Sequence, residues 1–164
     1  MSLSKPRKPE GKAARDPARI RAAALRLLAR REHSAQELTA KLLARGFEAQ
    51  PVAEVVAALT AKNLVSDARF VDEFVAARLR RGSGPAKICE ELRGRGVEQG
   101  LVNSALADHR ENWLATAEAA RRKRFGAALP RDFQERARQA RFLQQRGFTA
   151  EQIRQVMKGD IEEL

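Results

Sequence analysis

Cysteine occurs once, at Cys89, so the chain cannot build an internal disulfide framework or a multi-cysteine zinc site. Its two histidines, His33 and His109, are far apart and neither belongs to an HExxH-like pair. Tyrosine is absent, Trp113 is the one tryptophan, and most of the seven phenylalanines fall on apolar helical stripes. A stacking platform for single-stranded nucleic acid needs exposed rings among basic residues. Only Phe125 and Phe148 are placed for that, and both are expected in the core. No window approaches the roughly 18–20 apolar residues of a membrane span. The opening Met1–Pro9 has charge but no apolar segment of a secretory signal, so the expected compartment is the cytosol.

Phosphate-binding loops are missing as well. Gly82-Ser83-Gly84-Pro85 looks superficially like one, but Pro85 removes a backbone N–H. It reads better as a turn between helices, with proline at the first helical position. Cys89, between Ile88 and Glu90, reads as a small core-facing thiol. Catalysis, a metal and a cofactor are therefore not expected.

What the chain has is positive charge. Its 164 residues carry 32 Lys and Arg against 21 Asp and Glu, a net charge of +11. Such a surplus favours polyanionic partners, nucleic acid or an acidic protein groove.

Helix signals run throughout, and no stretch alternates with the period of a strand. Residues 1–16, interrupted by Pro6, Pro9 and Gly11, read as a basic, disordered tail. Asp16-Pro17 is a helix start, followed by Ile20, Ala23, Ala24, Leu27 and Leu28 at helical spacing and closed by Arg30-Arg31. Ser34-Ala-Gln-Glu37 is a capping box opening a second helix, stopped at Gly46. A third helix carries Val52, Val55, Val56 and Leu59.

This pattern repeats. Leu42-Leu43-Ala44-Arg45-Gly46-Phe47 is echoed by Leu92-Arg93-Gly94-Arg95-Gly96-Val97 and by Leu143-Gln144-Gln145-Arg146-Gly147-Phe148, the glycines recurring every 50 or 51 residues. Leu-x-x-Arg-Gly-apolar describes a helix end: arginine complements the dipole, glycine takes the left-handed position, and the apolar residue folds back onto the leucine. The opening helix recurs over Phe70, Val71, Phe74 and Val75, then over Trp113, Ala117 and Ala120. In the last unit the middle helix has Phe133, Ala137, Ala140 and Leu143, and Thr149-Ala-Glu-Gln152 is another capping box. The expected fold is all-α: three tandem three-helix repeats, 17–65, 66–110 and 111–160, in an elongated, curved molecule.

Each opening helix ends in basic residues: Arg30-Arg31, Arg80-Arg81 and Arg121-Arg122-Lys123-Arg124. Stacked repeats would bring these into a line, a footprint for phosphate or for carboxylates on a protein filament. Arg45, Arg95 and Arg146, before the cap glycines, are explained by the helix dipole.

The order of these motifs resembles the bacterial RecX regulatory proteins. The similar residues are Ala24-Leu25-Arg26-Leu27-Leu28-Ala29-Arg30-Arg31-Glu32-His33-Ser34, Asp67-Ala68-Arg69-Phe70, Gly84-Pro85, Arg95-Gly96-Val97, Arg122-Lys123-Arg124-Phe125 and Arg141 through Phe148. Ser83 departs from the family, which frequently has Tyr there. The resemblance implies a non-enzymatic negative regulator of the RecA recombinase. Such a protein would bind in the groove of the RecA–DNA filament and restrain ATP hydrolysis, strand exchange and coprotease activity, acting in recombination, repair and the SOS response. The candidate RecA or DNA contacts are Arg30, Arg31, Arg69, Arg78, Arg80, Arg81, Lys87, Arg122, Lys123, Arg124 and Arg141. The expected partners are RecA filaments and, weakly and without sequence preference, DNA; the expected state is a monomer. The alternative is a helical DNA-binding protein acting without RecA.

Overall fold

The computed structural model describes residues 7–158, whose regular structure is entirely helical: α1 (Lys12–Arg15), α2 (Pro17–Leu28), α3 (Ala35–Ala44), α4 (Ala49–Ala61), α5 (Asp67–Arg80), α6 (Pro85–Arg93), α7 (Gln99–Asp108), a 3₁₀ turn (Arg110–Asn112), α8 (Trp113–Phe125), α9 (Phe133–Gln145) and α10 (Ala150–Lys158). The chain divides into two compact units. One comprises the chain through Phe70 together with Arg95–Val97, the other Val71–Gly94 and the chain from Glu98 onward.

In the first unit, Asp16 caps α2 by accepting the Ala18 N–H at 3.0 Å, and Pro17 opens the helix. Ile20, Ala23, Ala24 and Leu27 turn inward and meet Leu38 and Leu42 of α3 and Val52, Val55, Val56 and Leu59 of α4. Burying each large aliphatic side chain contributes about 1.5–3 kcal/mol, which holds helices too short to persist alone. The α3 terminus closes as its sequence predicts. Gly46 sits at φ 96°, its N–H donates to the Leu43 carbonyl, and the Phe47 N–H reaches back to Leu42 at 3.3 Å.

Two local expectations need correction here. At Ser34 the capping box is only half made: its Oγ accepts the Glu37 N–H, but the Glu37 carboxylate is drawn off by Arg31 and Arg95. The leader is also not structureless through residue 16. With Gly11 at φ 55°, Lys12–Arg15 form a helical turn, Ala14 is buried, and its carbonyl accepts the Glu48 N–H at 3.0 Å. Arg15 Nε adds a 2.7 Å pair to Glu48, which raises the guanidinium pKa above its usual value. Residues 1–6 of that leader lie outside the described residues.

In the second unit, Ala117, Leu143, Phe148, Val156 and Met157 form one apolar cluster across α8, α9 and α10. The Thr149 box is complete: Gln152 donates its N–H to Thr149 Oγ1 and its side-chain oxygen accepts the Thr149 N–H. Pro85 is the first residue of α6, as expected, and the preceding Gly84 is the N-cap. Phe133 is not on the buried stripe, since its ring is 85% exposed at the first position of α9. The inward positions of that helix are Gln139 and Leu143.

Gln139 is buried because Arg121 is. Arg121 opens the basic run that the sequence offers as a footprint for phosphate or carboxylates, yet it is 1% exposed. Its guanidinium donates to the carbonyls of Gly126, Ala127 and Ala128 and to Gln139 Oε1, pinning the chain beyond the helix end. Lysine keeps the charge but lacks the planar fork that reaches several acceptors at once. Arg121→Lys is therefore expected to lower the unfolding free energy by about 2–3 kcal/mol, as hydrogen bonds to a charged group contribute about 1.5–3 kcal/mol. Urea titration of the two proteins measures this; equal midpoints would contradict it.

Candidate functional site

An open groove of about 860 Å³ runs along α8 in the second unit, lined by Leu79–Gly82 from the end of α5, by α8, and by Phe142 and Arg146. The floor has room because α8 presents small side chains there: Ala115, Thr116, Ala119 and Ala120. Lys123 follows Ala119 by one helical turn, so the same face that opens the groove delivers a cation to its rim. Arg80, Arg81, Lys123, Arg124 and Arg146 all line it, and among the described residues no acidic one does. Two helices, α5 and α8, end at this groove. Their carbonyl ends carry partial negative charge, which the five cations more than offset.

Arg146 is the residue that charge reasoning from sequence assigned to its helix dipole alone. Its Nη1 donates to the Arg81 carbonyl at 2.9 Å, and its guanidinium lies 5.1 Å from the centroid of the Phe142 ring. It therefore closes the helix end of α5 as well as its own, and carries its charge into the groove. The signal available in the sequence was its place in the recurring Arg-Gly motif, which does not distinguish dipole complementation from a groove lining.

Of the candidate contacts, Arg80, Arg81, Lys123 and Arg124 share this groove. The others have different surroundings. Arg122, on the next face of α8, pairs with Glu118 at 2.6 Å. Arg78 pairs with Glu91 and stacks over Phe74. Lys87 and Arg141 are exposed.

Arg30, Arg31 and Arg69 belong to the first unit. Arg30 is exposed, whereas Arg69 bonds Glu32 at 2.8 Å and both the side chain and carbonyl of Asn63. Arg31 is held by both oxygens of Glu37, at 2.6 and 3.0 Å. Arg69, Arg78 and Arg31 are thus tied to internal partners that compete with any external anion.

The Arg31–Glu37 pair belongs to a cluster around His33, whose ring is buried. His33 Nδ1 lies 3.0 Å from the Arg31 carbonyl and Nε2 lies 3.0 Å from Lys41 Nζ. The carbonyl can only accept and the ammonium can only donate, so the geometry fits the neutral Nδ1–H tautomer. Burial, opposed by the hydrogen bond to the Arg31 carbonyl and reinforced by Arg31 and Lys41, holds the ring below the usual histidine range. For Glu37, burial raises the carboxyl pKa but is outweighed by Arg31, His33 and Lys41, so it lies below the usual value.

Both depressed values act in the same direction. Each group binds protons more readily when unfolded, so stability is fully present above its unfolded pKa and is lost as pH falls through the folded one. Stability should decline first below about pH 6.5, as the unfolded histidine begins to protonate, and again in the carboxylate range. Urea titrations across pH 7.5 to 5 on wild type and His33→Gln test the first step; parallel curves would rule out His33 as its source.

Comparison with known proteins agrees with the repeat structure. Three family models match, described as the first, second and third three-helix domains of RecX, over residues 21–59, 66–106 and 111–157. Regulatory protein RecX of Halorhodospira halophila is 50% identical over 135 residues, covering 82% of this chain and 84% of that protein. This chain belongs to the RecX family. The RecX regulatory protein of Pseudomonas fluorescens strain SBW25 is 42% identical, covering 85% of this chain and 90% of its own length. The crystal structure of RecX from Lactobacillus salivarius, at 17% identity, shares the fold with a TM-score of 0.73 over 87% of this chain and 94% of that one. The chain is thus a RecX-type regulator with an all-α fold of three-helix domains. No helix among the described residues is long and apolar enough to cross a membrane.

Proposed function

We propose that this RecX protein binds in the groove of the RecA–DNA filament and lowers its ATP hydrolysis, and with it strand exchange and coprotease activity. The supporting observation is the α5–α8 groove, where five cations and, among the described residues, no carboxylate line a floor of small side chains. Such a surface suits a polyanion whose charge is continuous, as along a DNA backbone or an acidic filament wall, because phosphate and carboxylate contacts to arginine are charge-assisted. Its site of action would be the bacterial cytoplasm, where the filament forms.

The test is RecA ATPase on single-stranded DNA, titrated with the protein, beside co-sedimentation with filaments and with naked DNA at the same salt. Inhibition together with filament binding tighter than naked-DNA binding is expected. An ATPase left untouched at several-fold excess over filament sites would remove the proposal.

The net charge of +11 favours a second reading, direct binding of DNA without RecA. Five groove cations displacing counterions would give a slope of log affinity against log salt of about −3.5 on single strands, at about −0.7 per phosphate. Under this reading, affinity for naked DNA equals affinity for the filament.

A further inference from the structure

The glycine turn that ends each middle helix recurs three times, and each time something lies over the glycine. On Gly147 it is the start of α6. The Gly84 N–H donates to the Arg146 carbonyl at 2.7 Å, the Ala86 N–H donates to Gly147, and Lys87 packs so closely that a Cβ on Gly147 would stand 2.5 Å from its nitrogen. On Gly96 it is the start of α3. Ser34 Oγ donates to the Arg95 carbonyl at 2.9 Å, and Gln36 fills the place a Cβ would take. Ser34 and Gly84 are the N-caps of their helices, and each serves the carbonyl immediately before the glycine. The cover in both cases is the first turn of the middle helix one repeat earlier.

Gly46 has no earlier repeat in this chain. Its cover is the N-terminal segment: a Cβ there would lie 3.2 Å from Lys8 Cβ and 3.3 Å from Pro9 Cδ. That segment is fastened by the Glu48 N–H on the Ala14 carbonyl and by the Arg15–Glu48 pair. Its outward side chains, Glu10, Lys12 and Arg15, are exposed and charged.

We propose that residues 8–15 are an end cap, seated on Gly46 where a preceding repeat would sit, and that their release opens this seat to the start of α9 in a second copy of the chain. Three observations select that occupant. The chain itself places the starts of its first two middle helices on such glycines. The third middle helix begins with Phe133 85% exposed, with Leu129 40% exposed just before it. The α9 N-cap, Asp132, brings a carboxylate to a seat flanked by the exposed Arg45. A contact between two different surfaces is heterologous and adds copies head to tail until a ring closes, which terminal caps with polar outer faces prevent in repeat proteins. The inference is independent of RecA.

The experiment uses the full chain carrying Ala14→Asp and Arg15→Asp, which put carboxylates at a buried position and opposite Glu48. Exchange of the Glu48 amide reports whether the cap has left, and sedimentation velocity reports the mass. Expected are fast exchange and a concentration-dependent mass rising to at least twice that of the wild-type monomer, with Phe133→Glu on the same background restoring the monomer. Fast exchange in a protein that stays monomeric overturns the proposal, as does association that survives Phe133→Glu. If the amide stays protected, a chain beginning at Asp16 replaces the variant. A monomer there overturns the proposal, and so does loss of helical signal, because residues 8–15 would then be core rather than cap.

Discussion

Glutamate at both Arg80 and Lys123 should abolish inhibition of the RecA filament ATPase while leaving the thermal midpoint of the protein close to wild type. Both side chains line the α5–α8 groove. Among the described residues neither side chain takes part in an ion pair that its replacement would break, so the reversal acts on the groove's field before it acts on the fold. Exposed substitutions of this kind usually change stability by only about ±0.5 kcal/mol. Truncating one partner of a buried, hydrogen-bonded charge pair in an interface costs about 2–5 kcal/mol, and reversal adds repulsion to that loss. Two such sites should weaken binding by at least about 1,000-fold, since each 1.4 kcal/mol is tenfold. A double variant with Arg26→Glu and Lys62→Glu, at exposed positions outside the groove, makes the same change in net charge and controls for it. ATPase titration and thermal melting on the same preparations decide the matter. Wild-type inhibition by a folded double variant would assign the contact elsewhere.

Gly147→Ala should destabilise the protein by about 3–8 kcal/mol, a large share of the about 5–15 kcal/mol that stabilises a whole domain. Glycine is at φ 92° here, and a left-handed conformation costs an alanine about 1–2 kcal/mol. The added methyl would also lie 2.4 Å from Lys87 Cβ and 2.5 Å from its backbone nitrogen. That contact cannot be relieved by a rotamer change, so α6 must back away. Overpacking costs about 1–3 kcal/mol, and the two backbone hydrogen bonds that anchor α6 contribute about 0.5–1.5 kcal/mol each. Gly46→Ala is the control: it ends a helix in the same Arg-Gly turn at φ 96° and pays a backbone cost of the same kind, yet the nearest atom to its new methyl is Lys8 Cβ at 3.2 Å. Denaturant unfolding should separate the two by at least about 2 kcal/mol. Equal losses would mean that backbone strain alone matters and that the close approach of α6 is irrelevant.

The sequence by itself determined the helices, their ends and the repeat, because those signals act over a few residues. Asp16 reaches the Ala18 N–H, Thr149 and Gln152 satisfy each other, and Gly46 and Gly147 end their helices wherever the rest of the chain goes. Apolar spacing likewise identified the buried faces of α2 and α4. Choices between partners distant in sequence were made only by the tertiary structure. Glu37 abandons its capping role for Arg95, 58 residues away, and Arg78 is taken by Glu91 rather than left for an anion. Arg121 looked like its neighbours Arg122, Lys123 and Arg124 in the sequence, yet it alone turns inward, because carbonyls of the following loop and Gln139 converge on it. Arg146 enters the groove because α5 ends beside it, and residues 8–15 are held by packing on Gly46 and by the bonds of Ala14 and Arg15 to Glu48. A local pattern says that a side chain is charged or that a turn needs glycine; which atoms then stand opposite it is settled by how the helices pack.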